Sequence, residues 1–468
     1  MHRSLVGTLV VLAACEGPFT PPPPYPPPPP PPASVSVTPD SAAVITDDTL
    51  RLSAVVRDSA GNQLPGSAVS WVAADTTIVA IVNAFGTIRA VRPGKTTVRA
   101  LSGAAVGSVT VFATPLVYNA ISTGANHACA IANNRHAYCW GDNDDAEVGT
   151  GAASFTEPTP RRVDLTSEQA AVSAGGASTC ALDFGGVASC WGRAVNGRLG
   201  RDGAPGNPAD PGPVATGLRF VRLASGGAHV CALAADGRGA CWGADASGQL
   251  GDGGGLDRTT PTAIFGDAQW IDLTTGTTHS CALAMDATAW CWGANATGQV
   301  GDSTTSDRNI PTPVVGGRQF TAISAGGGHT CALTGSGAAY CWGRNANGET
   351  GSGSPDSIVP APLAVTGGLL LQSITAGGEH SCGIAADSLA YCWGANGSGQ
   401  LGDSSQADAA APVAVRGGLH FAALRAGAAF TCGLTGGLVV YCWGDGTQGQ
   451  LGRTTLGSST VPVRVAGQ

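Results

Sequence analysis

The chain has 468 residues, long enough for more than one domain, and a formal charge of −8. With 43% apolar and 12% charged residues it does not read as a disordered polymer, and with no basic run or stripe it lacks the footprint of a nucleic-acid binder. Of its 15 cysteines, 14 fall into regularly spaced pairs and Cys15 stands alone.

Residues 1–14 read as an export signal. His2 and Arg3 open it, an apolar run over 5–12 follows, and Ala13 and Ala14 precede Cys15. The run is too short to span a bilayer. The ending Leu12-Ala13-Ala14-Cys15 resembles the lipobox of bacterial lipoproteins. That resemblance implies that Cys15 is acylated and becomes the mature first residue, which would account for the odd cysteine count. An ordinary signal peptide containing a cysteine is the other reading. Glu16, rather than Asp, after the cysteine points by the same resemblance towards the outer membrane. Several acyl chains anchor far better than one. Residues 15–33 then form a stalk. Positions 18–32 are almost all proline and favour polyproline II, about 3.1 Å per residue and roughly 45 Å in all. A ligand for a proline-binding domain is the alternative.

Over 34–114 the pattern becomes period two. Strands are expected near 35–39, 50–56, 69–72, 78–81, 87–91, 96–100 and 107–112, between Gly, Pro and Asn turns. About seven short strands suggest a β-sandwich, with Trp71 as its core plug. The wording S-V-T-P, L-S-A-V-V-R-D-S-A-G-N, V-S-W and G-T-I-R-A-V-R-P-G-K-T-T-V-R-A resembles the bacterial immunoglobulin-like group 2 domain, whose members often serve as spacers or adhesive modules.

Residues 115–468 repeat one unit seven times, at a period of about 50 residues. Two cysteines stand ten positions apart, and Trp-Gly follows the second. The pairs are Cys129/Cys139, Cys180/Cys190, Cys231/Cys241, Cys281/Cys291, Cys331/Cys341, Cys382/Cys392 and Cys432/Cys442. On a helix such positions would be about 15 Å apart, too far to bridge, whereas a hairpin sets them face to face. The spacing therefore predicts one cross-strand disulfide per repeat. Free buried thiols are the alternative, which seven constant spacings disfavour. Disulfides on this scale imply an oxidising compartment.

Four strand candidates per unit suggest a seven-bladed propeller, with a linear solenoid as competitor. In the fifth unit the strands are expected at 312–315, 319–324, 330–333 and 339–342, and the strand Val461-Pro462-Val463-Arg464-Val465 is expected to complete the first blade beside 120–123. The combination G-G-x-H-x-C-A-L, then C-W-G-x-N-x-x-G-Q-L-G, then a Pro-Val strand resembles the regulator of chromosome condensation repeat family. The resemblance implies seven blades over the whole of 115–468.

Several repeated residues are candidates for chemistry. His127, His229, His279, His329 and His380 share one place, with Ser178 and Phe430 as substitutes. Metal binding by His and Cys is conceivable. Equivalent positions in neighbouring blades are too far apart for one ion, so a structural His bonded within its own blade is expected. Trp140, Trp191, Trp242, Trp292, Trp342, Trp393 and Trp443, with Tyr138, Trp290, Tyr340, Tyr391 and Tyr441, read as core. Asp142-Asn143-Asp144-Asp145 and Asp252-Gly253-Gly254-Gly255 are oxygen-rich loops without an EF-hand spacing.

No Gly-x-Ser-x-Gly, His-Glu-x-x-His or Gly-Lys-Ser/Thr motif is present. The sequence thus predicts an all-β, non-enzymatic scaffold without cofactor or metal. It would be a monomer, exported and lipid-anchored to the bacterial cell envelope. One propeller face would bind an extracellular protein or glycan, and not nucleic acid. The alternatives are a polysaccharide-active enzyme built from propeller loops, and a family-type regulator acting as an exchange factor or inhibitor.

Overall fold

A computed structural model describes residues 29–203 and 207–468. Residues 1–14, Cys15 and most of the proline run lie outside the described residues. No helix among the described residues is long and apolar enough to cross a membrane. The chain forms two units, divided after Thr114.

Among the described residues the first unit has nine strands: β1 (Ser34–Thr38), β2 (Ser41–Ile45), β3 (Thr49–Arg51), β4 (Ser53–Arg57), β5 (Ser70–Ala73), β6 (Val79–Ile81), β7 (Thr87–Ala90), β8 (Gly94–Ser102) and β9 (Ala105–Thr114). They pair as β1-β4, β3-β7-β6 and β2-β9-β8-β5. The expected strand over 50–56 is split at Leu52, whose N–H bonds to Gly86 O (2.9 Å) as the chain changes sheet. Leu52, Val79, Ile88, Val98, Val109 and Val111 fill the core. Trp71 is not the plug. It packs half-buried on the margin of that cluster, its indole so close over Gly86 that a Cβ there would lie 2.7 Å from the ring. Its strand β5 is the outer strand of the sheet β2-β9-β8-β5, so the indole covers the margin while branched aliphatics fill the middle.

The second unit is seven four-stranded antiparallel sheets, each built from strands consecutive in sequence. In blade 5 the strands are Ala322–Ala325, His329–Leu333, Ala339–Arg344 and Ile358–Ala364. This corrects the expected frame by one strand. The segment Arg308–Pro313 pairs with Ala289–Gly293 as the outer strand of blade 4, with Cys291 opposite Thr312. Proline lacks a ladder N–H and is tolerated at such an outer edge. The last Pro-Val strand, Ser459–Arg464, likewise pairs with Val440–Gly444 of blade 7 and not with blade 1. Closure needs no shared strand. Blade 7 packs directly on blade 1, and its loop carbonyl Gln450 O accepts the Trp140 indole N–H (3.0 Å).

All seven cysteine pairs sit directly opposite each other on the two middle strands of a blade, and each is joined as a disulfide. In blades 1 to 3 these are Cys129–Cys139, Cys180–Cys190 and Cys231–Cys241. In blades 4 to 7 they are Cys281–Cys291, Cys331–Cys341, Cys382–Cys392 and Cys432–Cys442. The apolar core lies between blades. The cluster at the seam of blades 4 and 5 joins Cys281, Cys291 and Val300 of one to Phe320, Ile323 and Trp342 of the next.

Candidate functional site

The fourteen propeller cysteines, picked out in the sequence as site residues, are placed by the structure in the core. Cys139, Cys190, Cys241, Cys291, Cys341, Cys392 and Cys442 are fully buried, as are their partners Cys129, Cys180, Cys231, Cys281, Cys331, Cys382 and Cys432. Their strand register turns the sulfurs into the packed seams. They staple the blades and present no sulfur to a ligand.

Five of the seven seams hold a polar circuit embedded in that core. At the seam of blades 4 and 5, the Thr330 hydroxyl donates to Gln299 O (2.9 Å), and the Trp342 indole N–H donates to the same carbonyl (2.9 Å). With its hydrogen committed, Thr330 Oγ1 accepts from His279 Nε2 at 2.9 Å, which assigns the proton to Nε2. His279 Nδ1 then has no hydrogen-bond partner among the described residues and lies against the Gly276 turn. Burial pushes the His279 imidazole down to about 3, so it is neutral.

The circuit recurs with His127–Thr179, His229–Ser280, His329–Ser381 and His380–Thr431, all at 2.8 Å. The expected within-blade bond is therefore corrected: every partner is on the following blade, because the imidazole leaves its strand on the face that meets that blade. Where His is replaced, so is the hydroxyl. Ser178 faces a blade with Val230, and Phe430 faces one with Ala128. This pairing is legible in the sequence as H-x-C with Ser or Thr at x one repeat later, a signal the reading of single repeats passes over.

The seven Trp residues are fully buried, and each gives its N–H to the preceding blade's loop. Gly301 ends such a loop at φ +79°, and a Cβ there would stand 2.6 Å from the Trp342 indole nitrogen. Tyr138 is fully buried, but Trp290, Tyr340, Tyr391 and Tyr441 are only half-buried. Tyr340 meets Phe320 edge-on, its ring covered by Arg318 (4.6 Å).

The oxygen-rich loops spend their oxygens internally. Asn143 Oδ1 accepts from Val148 N (2.9 Å), and Asp252 pairs with Arg258 (2.6 Å). Burial pushes Glu147 up to about 7. Among the described residues no group of three or more His, Cys, Asp or Glu could hold a metal ion.

At the axis, backbone bonds run round the ring from blade to blade. They start with Ala125 N to Gly175 O (3.0 Å) and close with Ala428 N to Ala125 O (3.3 Å). Above these turns, blades 4 to 7 enclose a pocket of about 540 Å³, lined by Thr277, Thr297, Gln299, Arg344, Glu379 and Gln400 with glycine and alanine backbone. Arg344 bridges two carboxylates, Glu379 (2.6 Å) and the buried Glu349 (3.2 Å). Burial raises the Glu349 carboxyl, against the pull of its loop N–H groups and Arg344. Asn347 Nδ2 also reaches Glu379 (3.2 Å). The arrangement offers donors and acceptors of both charges on a rigid rim. None of these residues stood out in the sequence, because Arg344 and Glu379 occupy variable positions of the repeat.

The fold and seams define a disulfide-stapled, seven-bladed β-propeller preceded by an immunoglobulin-like unit. The chain belongs to the RCC1-like domain family, whose model matches residues 103–371, and regulator of chromosome condensation (RCC1) repeats match 372–400 and 439–468. A bacterial Ig-like domain (group 2) matches 32–113. The ultraviolet-B receptor UVR8 of Arabidopsis thaliana is 32% identical over 152 residues, 31% of this chain and 33% of that protein. The probable E3 ubiquitin-protein ligase HERC6 of Homo sapiens is 31% identical over 137 residues, 28% of this chain and 13% of that protein. The chain thus spans a third or less of these curated relatives. Among solved structures, human WBSCR16 superposes with a TM-score of 0.65 at 19% identity, covering 70% of this chain and 94% of that one. Yeast RCC1 (Prp20), solved bound to Kap60, superposes at 0.64 and 22%, covering 75% and 84%.

Proposed function

We propose that this protein is an exported, lipid-anchored scaffold that binds a protein through the axial face of its propeller. The observation that carries the reading is the pocket with the Arg344–Glu379 pair on its rim. Fixed polar groups of both signs on a concave rim suit the charged side chains of a partner loop better than a sugar ring, because the lining has no aromatic platform for stacking. Family likeness agrees with a binding role, since the yeast relative was solved in complex with another protein.

Export is supported by the seven disulfides, and anchoring by the lipobox-like end at Cys15. An exported chain would not meet a nuclear GTPase, so an exchange-factor role is not adopted. Two experiments test the reading. Mass spectrometry of the membrane fraction should find an acylated N-terminal Cys15. Cross-linking on intact cells should recover a protein partner that is lost when Arg344 and Glu379 are both changed to Ala. An unacylated, uncleaved start would refute the anchor, and capture unchanged in the double variant would refute the face.

A further inference from the structure

The wall of the axial channel can be read by position. Each blade's inner strand opens on a buried residue (Tyr118 in blade 1, Phe421 in blade 7), and its fourth residue packs apolar between blades, as Leu273 and Ile323 do. The third and fifth residues face the axis and the next inner strand. In five blades the fifth is a Ser or Thr whose hydroxyl accepts a backbone N–H from the following blade, as Ser122 does from Ala174 N (3.0 Å). Of the 14 third and fifth positions, 11 are Ala, Ser or Thr, and three are charged: Arg222, Asp272 and Arg425.

Arg222 Nη1 pairs with Asp272 Oδ1 in the neighbouring blade. That leaves Arg425. Its one hydrogen bond runs from Nη1 to Leu424 O (2.8 Å), and it has no ion pair among the described residues. It is open to water, yet protein surrounds it closely enough that burial lowers its guanidinium pKa. Both hold for a side chain inside a solvent-filled channel. The Asp272 carboxyl, raised by burial, feels both guanidinium groups, although Arg425 stands three blades away. The channel therefore carries one uncompensated positive charge in a wall of small neutral residues.

We propose that the axial channel is a carboxylate-binding site anchored by Arg425, with the Arg222–Asp272 pair as its opposing wall. The single bond to Leu424 leaves roughly four of the five guanidinium N–H donors free, and their planar fork matches a carboxylate. Low-dielectric walls focus the field of an unpaired charge and reward an anion that neutralises it. Asp272 is the internal competitor, held off by Arg222. Arg222, Asp272 and Arg425 are not among the residues that line the Arg344 pocket, so a failure of partner capture in the Arg344 and Glu379 double variant would leave this binding untouched.

The test is calorimetric titration of the full chain, at constant ionic strength, with malonate and with a capped Gly-Glu-Gly peptide. At least one should bind saturably. Preference for malonate identifies a free small acid, and preference for the peptide identifies an acidic segment of a protein. Arg425→Gln should weaken binding by about tenfold or more, the scale of one lost charge-assisted contact. Asp272→Asn should tighten it severalfold, a gain that misfolding does not produce. No saturable binding of either titrant, affinity unchanged in Arg425→Gln, or affinity weakened or unchanged in Asp272→Asn overturns the assignment.

Discussion

His279 of blade 4 meets Thr330 of blade 5 in a buried bond from Nε2 to Oγ1 of 2.9 Å. The contact couples the two blades in the same place as the disulfide core. Its repetition at five of the seven seams ties neighbouring blades by side chains as well as by packing.

Thr330→Val should cost about 1–3 kcal/mol, because His279 Nε2–H and one bond to Gln299 O lose their partner in a dry seam. Adding His279→Phe should recover much of that loss, since the pair would then approach the apolar match of Phe430 with Ala128 at the closing seam. Urea unfolding of the single and double variants measures the coupling, and strict additivity would contradict the circuit.

Acid should unfold the propeller. The five seam imidazoles are held at about 3 to 4, whereas an unfolded imidazole titrates near 6.5. The unfolded chain therefore takes up more protons below that value. Stability is complete above about pH 6.5 and falls as pH drops towards 4, by up to about 1.4 kcal/mol per pH unit for each His. Carboxyls that burial raises work in the opposite direction and offset part of this slope: Glu147, pushed up to about 7, Asp245, pushed up to about 6, and Asp142, Asp272 and Glu349. The midpoint of thermal unfolding followed from pH 7.5 to 4.5 should fall more steeply in the wild type than in His279→Phe, and equal slopes in the two would contradict a neutral buried His279.

Replacing Cys331 and Cys341 together by Ala should lower stability by roughly 2–3 kcal/mol on the chain-entropy scale for so short a loop. Hydrogen exchange should localise the loss to blade 5 and its two seams. Alkylation of the denatured, unreduced protein should find none of the fourteen propeller thiols free.

Ending the chain at residue 458 removes the outer strand of blade 7 and with it Val465, which packs against Gly452. Amide protection should fall first over Phe430–Thr435 and Val440–Gly444, and only later over Tyr118–Thr123. The reverse order would restore the shared-strand closure that the pairing argues against.

The residues themselves determined the repeat count, the cysteine partners, the all-β class and the immunoglobulin-like unit, because constant spacing and period-two alternation are local properties of a chain. Blade membership was less legible. Ser459–Arg464 and Arg308–Pro313 could each have joined the unit before or after, and only the hydrogen-bond register assigns them. Trp71 misled because alternation along one strand does not say whether that strand lies in the middle of its sheet or at its edge.

The tertiary structure alone decided what faces the axis and what bridges the seams. His279 and Thr330 lie 51 residues apart, and Asp272 and Arg425 lie on strands three blades distant. The first contact and the electrostatic influence of Arg425 on Asp272 depend on how seven sheets close into a ring, and closure is a property of packed surfaces that no single repeat contains.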